Sequence, residues 1–323
     1  MQYEELGRLI GSLGGLYEIK LDNGQTPLSG KTVASRAKGN FRHAGLSPLV
    51  GDRVRVRYDD VAVARYTGER LGTDDGGGVV IAEILPRSCA LIRPPMANLG
   101  VLFITFAAAR PDPVTETIDK LIAIAEHNGI EPIPVICKQD IAPLRAAELR
   151  EIYENAGFTV FSLSSVKGEG VADLRRFIDC NLKGRIAAFS GASGVGKSTL
   201  LNALYPELDL KTGAISEKIA RGKHTTRCVQ LYPVGDGYVA DTPGFSMLDF
   251  VRFDFFKKED LPYLMREFEP YIGACRYTKC THTKEQGCAI LDAVQGGKIA
   301  PSRHRGFLAM YEELKHKNDW SKK

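Results

Sequence analysis

At 323 residues and 35.4 kDa the chain is long enough for two or three domains, each with its own core. Hydrophobic residues make up 44% and charged residues 25%, proportions that exclude global disorder. The first ten residues carry no basic segment followed by an apolar one, and the longest apolar run, 101–109, is too short to cross a bilayer. Neither a signal peptide nor a membrane span is expected, and a cytoplasmic protein follows. The net charge of +4 is small but unevenly spread. Residues 30–57 hold seven basic side chains against one acidic, and residues 296–323 hold seven against three. Two basic segments flanking a near-neutral middle are either two solvated faces or two surfaces that meet a polyanion.

Residues 1–84 read as β structure. Segments 16–21 and 53–58 alternate apolar and polar residues and are broken by Asp22, Asn23, Gly24 and by Gly51, Asp52. Short strands at this spacing predict a small antiparallel barrel of the five-stranded oligonucleotide-binding type, with a turn at 73–78. From Cys89 the pattern becomes α/β, and a domain is expected over 89–250. Strands are predicted at 101–106, 132–137, 159–164, 185–190 and 237–240. Helices are predicted at 116–128, 143–155, 170–178 and 197–204, the first with Ile118, Leu121, Ile122 and Ala125 on its apolar face. Alternation of this kind implies a parallel sheet covered on both faces. Residues 251–323 form a third, mainly helical domain with a cysteine cluster and a basic tail.

The strongest signal is the run Gly191, Ala192, Ser193, Gly194, Val195, Gly196, Lys197, Ser198, a complete G-x-x-x-x-G-K-S between a predicted strand and a predicted helix. Its glycines let successive backbone N–H groups curl around a diphosphate at the positive end of the helix that Lys197, Ser198 and Thr199 begin. Lys197 would reach the β- and γ-phosphates and Ser198 would ligate Mg²⁺. Asp241, Thr242, Pro243 and Gly244 match the D-x-x-G that holds Mg²⁺ through water and touches the γ-phosphate. Cys137, Lys138, Gln139 and Asp140 approximate the N/T-K-x-D that reads guanine. The Asp140 carboxylate can accept from guanine N1–H and the 2-amino group, donors that adenine does not present together. Ser164 and Ser165 follow the next strand, where a small residue contacts the guanine carbonyl. Each short motif is weak alone, but all four at strand ends define a GTP site.

Their order is unusual. The base-reading motif and serine loop precede the glycine loop, and D-x-x-G comes last, which is a circular permutation. Residues 221–227 lie between glycine loop and D-x-x-G and supply Thr225 or Thr226 as the switch threonine. Phe245 stands where many GTPases carry a water-orienting Gln, so His224 is the candidate substitute, unless it is a solvent-facing histidine with no catalytic role. His43, His127, His304 and His316 read as surface or barrel residues, with His43 a candidate for RNA binding.

Seven cysteines do not form an even disulfide set. Cys89, Cys180 and Cys228 read as buried small hydrophobes. Cys275, Cys280, His282 and Cys288 complete a tetrahedral Zn²⁺ site with no open position, a structural rather than catalytic zinc.

A barrel, a GTPase with this permuted motif order and a Cys-Cys-His-Cys module together closely resemble the ribosome small-subunit-dependent GTPase A family. The resemblance runs over nearly the whole chain, including residues 36–39, 51–52, 221–226 and 241–245. It implies GTP hydrolysis to GDP and phosphate, stimulated by the small ribosomal subunit late in its maturation, with Mg²⁺ and one zinc and with barrel and zinc module on rRNA; separately, a monomer is expected. It also supports His224 as the catalytic histidine. Cys137 departs from the family pattern, since a thiol is a weak donor and acceptor where Asn or Thr is usual. The alternatives are an RNA-binding assembly factor that uses GTP only as a ligand switch, and, more distantly, an ATPase.

Overall fold

The computed structural model describes residues 1–13, 15–36, 47–66, 78–91, 95–206, 229–241 and 256–320. The candidate switch residues His224, Thr225 and Thr226, with Gly244, Phe245, Cys228 and His43, lie outside these, as does most of the predicted turn at 73–78. The chain divides into two compact units. The first comprises residues 1–100, 179–188 and 213–245, and the second residues 101–178, 189–212 and 246–323.

In the first unit, five strands close a barrel: β1 (Gln2–Leu13), β2 (Leu16–Leu21), β3 (Thr32–Arg36), β4 (Arg53–Asp59) and β5 (Val80–Ile84). Antiparallel pairing joins β1 to β2, β2 to β3 and β4 to β5, Arg36 opposite Val80 links β3 to β5, and β4 returns to β1. Closure gives each of the five strands a barrel partner on both sides. The alternation seen in the sequence is the reason for the barrel's two faces. Val54, Val56 and Tyr58 of β4 are buried with Leu9, Ile19 and Val33, while Arg53, Arg55 and Arg57 face outward.

Those arginines are among the cations counted into the first basic segment, and each has an acidic partner. Arg53 Nη1 donates to Asp22 at 2.8 Å, Arg55 Nε to Glu83 at 3.0 Å, and Arg57 Nε to Glu4. Each charge is matched by a carboxylate outside β4. Asp52, fully buried at the start of β4, accepts from Arg87 Nε at 2.7 Å and from the Leu49 N–H at 2.7 Å, fixing the turn into that strand. A short helix, α1 (Asp60–Arg65), is capped by Asp59. A two-residue ribbon follows, β6 (Ala90–Leu91) on β7 (Met96–Ala97).

The second unit is built on three parallel strands, β8 (Leu99–Ala107), β9 (Glu131–Cys137) and β10 (Phe161–Ser162). β10 has two residues rather than the six predicted, because the chain turns early. The Leu163 N–H still reaches Ile136 O at 2.8 Å, but the Ser164 N–H goes to Glu169 O at 2.9 Å. The helices match expectation closely: α2 (Thr115–His127), α3 (Pro143–Asn155), α4 (Val171–Asn181), and, after β11 (Ile186–Ser190), α5 (Lys197–Leu204). Ile118, Leu121, Ile122 and Ala125 of α2 are buried as its period required. Returning to the first unit, β12 (Gln230–Val234) and β13 (Gly237–Asp241) form a hairpin, and β13 runs parallel to β11 with Ala240 opposite Ala188.

Past residue 256 the chain makes short 3-10 turns at Leu261–Leu264 and Arg266–Tyr271, then α6 (Ala289–Gln295) and α7 (Pro301–Trp320). Arg303, one of the residues counted into the basic tail, is 1% exposed. Its Nε donates to Glu267 at 2.6 Å and its Nη1 to Asp119, which also accepts from Tyr153 Oη at 3.2 Å. Burial alone would lower the Arg303 pKa, but the carboxylates of Asp119 and Glu267 outweigh it and hold the guanidinium charged. His304, expected at the surface, is also buried, with Nε2 at 2.9 Å from the His282 carbonyl. Cys180 is exposed rather than buried, while Cys89 is buried as expected.

Gly306 sits where a Cβ would strike the Asp119 carboxylate, so α7 packs on α2 only with glycine there. Replacing Gly306 with Ala therefore lowers unfolding stability, although Ala is the better helix former by about 1 kcal/mol. Arg303→Met strands two buried carboxylates and costs about 3–5 kcal/mol in denaturant unfolding of the full chain. An Arg303→Met protein of unchanged stability would show that the buried pair contributes nothing.

Candidate nucleotide and metal sites

The glycine loop leaves β11 at Gly191 and enters α5 at Lys197. Thr105 on β8 donates from Oγ1 to the Ser190 carbonyl, so the two strands approach closely just before the loop. A Cβ on Gly191 would lie inside the contact distance of Thr105 Oγ1 and O, which is why the loop must open with glycine. Gly194 and Gly196 take φ of +79° and +103°, turning the backbone into a concave strip. Val195 is buried beneath this strip at 2% exposure, while Ala192, Ser193 and Gly194 face outward. Gly196 caps α5 without a side-chain hydrogen bond, so no side chain closes off the first-turn N–H groups of Lys197, Ser198 and Thr199. This is an anion cradle by construction. Lys197 is half-buried, and Ser198 and Thr199 are exposed.

The base-reading turn is fastened to this loop. Lys138, at φ +59°, sends its ammonium to the Gly194 carbonyl at 2.7 Å and to the Arg110 carbonyl. Three segments far apart in the sequence, around 110, 138 and 194, are thus held by one cation. The Ala108 N–H reaches Cys137 O at 2.9 Å, and the Gln139 N–H reaches Leu163 O at 3.2 Å. Asp140 then stands half-exposed at the start of the turn into α3. Ser164 is buried, and its Oγ accepts from the Lys167 N–H at 3.2 Å, shaping the loop that presents Ser165. Sequence reasoning missed Thr105 and the Arg110 carbonyl. Neither bears a motif, because each acts through where its backbone lies.

Cys137 ends β9 at 1% exposure, and its Cβ lies behind Gly196. Burial pushes its thiol up to about 12, so it stays protonated and unreactive at neutral pH. Among the described residues its sulfur has no hydrogen-bond partner, which fits the loss of the contact that Asn or Thr would make. Asp241 closes β13, and Gly244 lies outside the described residues.

The metal cluster assembles as expected. The ligand atoms of Cys275, Cys280, His282 and Cys288 all lie within 4.8 Å of one another. His282 Nδ1 is 3.5 Å from the sulfurs of Cys275 and Cys288, which are 3.9 Å apart. A zinc tetrahedron with Zn–S of about 2.3 Å and Zn–N of about 2.0 Å has edges of about 3.5–3.8 Å, close to these three separations, so the cluster fits Zn²⁺. Burial and the neighbouring sulfurs push the Cys280 thiol up to about 12, and a divalent cation held by the four residues would take the place of that proton. Around the ligands, Glu285 gathers the N–H groups of Thr281, Thr283 and Lys284 at 2.8–3.1 Å. These bonds and the one from Thr281 Oγ1 outweigh burial and hold its carboxyl at about 2. His304 grips the His282 carbonyl from α7. Such outer partners fix ligand orientation, and nothing in the spacing of the sequence pointed to them.

Comparison with known proteins joins these sites. The RsgA GTPase family profile matches residues 84–251, and that of the RsgA N-terminal domain matches residues 6–64. The chain belongs to the RsgA GTPase family. It is therefore a GTP hydrolase. It is 38% identical over 315 residues to the small ribosomal subunit biogenesis GTPase RsgA of Geobacillus thermodenitrificans, covering 96% of this chain and 98% of that one. It is 36% identical over 316 residues to RsgA 2 of Listeria innocua, with the same coverage. Among solved structures, YjeQ from Thermotoga maritima superposes with a TM-score of 0.76 at 30% identity, covering 97% of this chain and 99% of that chain. YloQ, described as a circularly permuted GTPase, superposes at 0.73 and 28% identity, covering 98% and 96%. Family membership thus agrees with the barrel, the permuted GTPase core and the Cys-Cys-His-Cys cluster found in the chain.

Two outcomes follow. Protein purified without added metal carries one zinc per chain by elemental analysis, and His282→Ala loses it along with order in the C-terminal region; metal-free protein with an intact C-terminal fold would overturn the assignment. A thiol reagent at neutral pH labels exposed Cys180 well before buried Cys137, read by peptide mass spectrometry.

Proposed function

We propose that the chain hydrolyses GTP when docked on the small ribosomal subunit during its maturation, holding rRNA through its barrel and its zinc module. The observation that supports this most directly is the Lys138 bridge, 2.7 Å from the Gly194 carbonyl, which makes the base-reading turn and the glycine loop one preformed site. The names of the curated relatives, small ribosomal subunit biogenesis GTPases, point to the partner.

In this reading the backbone from Gly191 to Gly196 and the first turn of α5 bind the phosphates, and Lys197 offsets charge developing on the γ-phosphoryl oxygens. Asp140 accepts from the guanine edge, with Ser164 and Ser165 closing on its carbonyl side. Mg²⁺, held by Ser198 and through water by Asp241, supplies further charge neutralisation when bound. Thr225 or Thr226 and Gly244 close over the γ-phosphate, and His224 orients the attacking water, since Phe245 cannot. The cluster of Cys275, Cys280, His282 and Cys288 holds a structural zinc and has no part in the chemistry.

Lys197→Ala abolishes hydrolysis. Asp140→Asn shifts preference from GTP towards xanthosine triphosphate, whose 2-oxo group needs a donor, and Cys137→Asn tightens guanine nucleotide binding. His224→Ala lowers stimulated kcat and leaves the Kd for GTP nearly unchanged; the opposite pattern would assign His224 to binding. The deciding measurement is turnover with small subunits, large subunits and neither, at two salt concentrations. Hydrolysis slow alone, strongly raised by small subunits and falling steeply with salt is the expected result. Stimulation by large subunits only, or none, would refute the proposal, and turnover indifferent to ribosomes would favour a GTP-binding switch.

A further inference from the structure

A cleft of about 680 Å³ opens beside the zinc cluster, floored by the Cys275–Cys280 loop and walled by Lys258, Tyr263, Tyr277, Lys279 and Tyr311. Tyr263 is 71% exposed and Tyr277 51%, although large aromatic side chains normally bury most of their surface. Both are held on ordered backbone. The Tyr263 N–H bonds to Asp260 O at 3.0 Å, next to Leu261, which is fully buried. Tyr277 lies in the metal-ligand loop, whose Arg276 N–H reaches Gly287 O at 2.9 Å and whose Cys280 N–H reaches Tyr277 O at 3.2 Å. The Arg276 guanidinium lies 5.7 Å from the Tyr277 ring centroid and steadies that ring. The backbone carrying both rings is therefore already in place, and little loop ordering is left to lose on binding.

The chemistry of the walls selects the occupant. Two lysines frame the rings, and the acidic side chain on the wall, Glu259, reaches Lys258 only at 3.9 Å. Ile272 is the aliphatic wall residue apart from Pro262, so an apolar helix or peptide finds few partners. Rings for stacking with cations beside them are the means by which proteins hold unpaired bases and their phosphates. A paired A-form helix keeps its bases stacked inside and cannot enter such a cleft.

We propose that this cleft binds an unpaired nucleotide of an RNA strand, its base stacked on Tyr277 and Tyr263 and its phosphate met by Lys279 and Lys258. The proposal refines the reading that the zinc module docks on rRNA and rests on it.

The test uses the full, zinc-loaded chain and a short single-stranded RNA carrying a fluorescent adenine analogue, with the same RNA in duplex as control. Wild-type protein binds the single strand more tightly than the duplex and quenches the analogue. Tyr277→Ala and Tyr263→Ala each weaken single-strand binding by about 5- to 100-fold and lose the quenching, whereas Tyr277→Phe retains both. Lys279→Ala lowers the salt slope of binding by about one. Unchanged zinc content in each variant shows that the fold is intact. Alanine variants that keep their zinc and bind the single strand as well as wild type would overturn the proposal, as would equal affinity for the duplex. Co-sedimentation of wild type and Tyr277→Ala with isolated small subunits separates the two claims. Wild type failing to co-sediment removes the rRNA-docking reading, and both proteins sedimenting equally removes only the cleft.

Discussion

The guanidinium of Arg303 meets Asp119 and Glu267 in a space closed to water, and most of the second unit depends on that contact. A buried ion pair is poor evidence of net stability, because desolvating the ions costs about as much as their attraction returns. What it imposes is geometry. Asp119 belongs to α2, which follows the strand that backs the glycine loop, and Tyr153, which shares the Asp119 carboxylate, belongs to α3, which follows the base-reading turn. Glu267 comes from the 3-10 turn ahead of the zinc module, and Arg303 from the helix behind it. Any packing that separates these four leaves a charge or hydroxyl unmatched in a low-dielectric interior. The candidate base-reading turn and the Cys-Cys-His-Cys module are therefore parts of one body.

Two further fastenings act in the same sense. Arg266 bonds to Glu126 at 2.6 Å and Glu131 at 3.3 Å while lying over the Phe158 ring, and Lys120 pairs with Glu313 at 2.7 Å. The residue after Arg303, His304, then grips the carbonyl of a zinc ligand. One turn of α7 thus faces both ways, its arginine towards the GTPase core and its histidine towards the metal loop. This continuity lets a small module share its packing with the rest of the unit, through the buried ion pair and the contact of α7 on α2.

Much of this was legible in the sequence, and what was not has a common cause. Period-2 alternation in residues 53–58 and period-3.6 spacing in α2 report burial directly, so barrel strands and helices fell where expected. The glycine loop, Lys138 and the zinc ligands carry chemistry in residue type and spacing alone. Charge counting failed because a window of sequence sees the cation and not its partner. Arg303 is answered by Asp119, 184 residues away, and Arg57 by Glu4, 53 residues away. The six-residue β10 failed because the edge of a sheet is set by where backbone groups find partners, not by apolar content. Cys180 lies on the outer side of α4, whose buried face is Val171, Leu174 and Ile178; helical phase would have placed it.

The pairing of the barrel arginines changes how a polyanion would be met. Exposed ion pairs are worth only about 0–1 kcal/mol, so Arg55 and Arg57 can trade a carboxylate for a phosphate at little cost, whereas the part-buried, two-pronged Arg53–Asp22 pair is held more firmly. Such an exchange releases fewer counterions than a bare cation would, because each arginine begins already neutralised. Barrel contacts should then add little salt dependence, and most of the slope falls to cations outside such pairs, among them Lys279 on the metal-ligand loop. A surface built this way would hold a polyanion by position more than by charge. Were docking of the zinc module to depend on the bound nucleotide, reciprocity would require nucleotide affinity to depend on docking by the same factor, and the Arg303 contact lies on the path between the two.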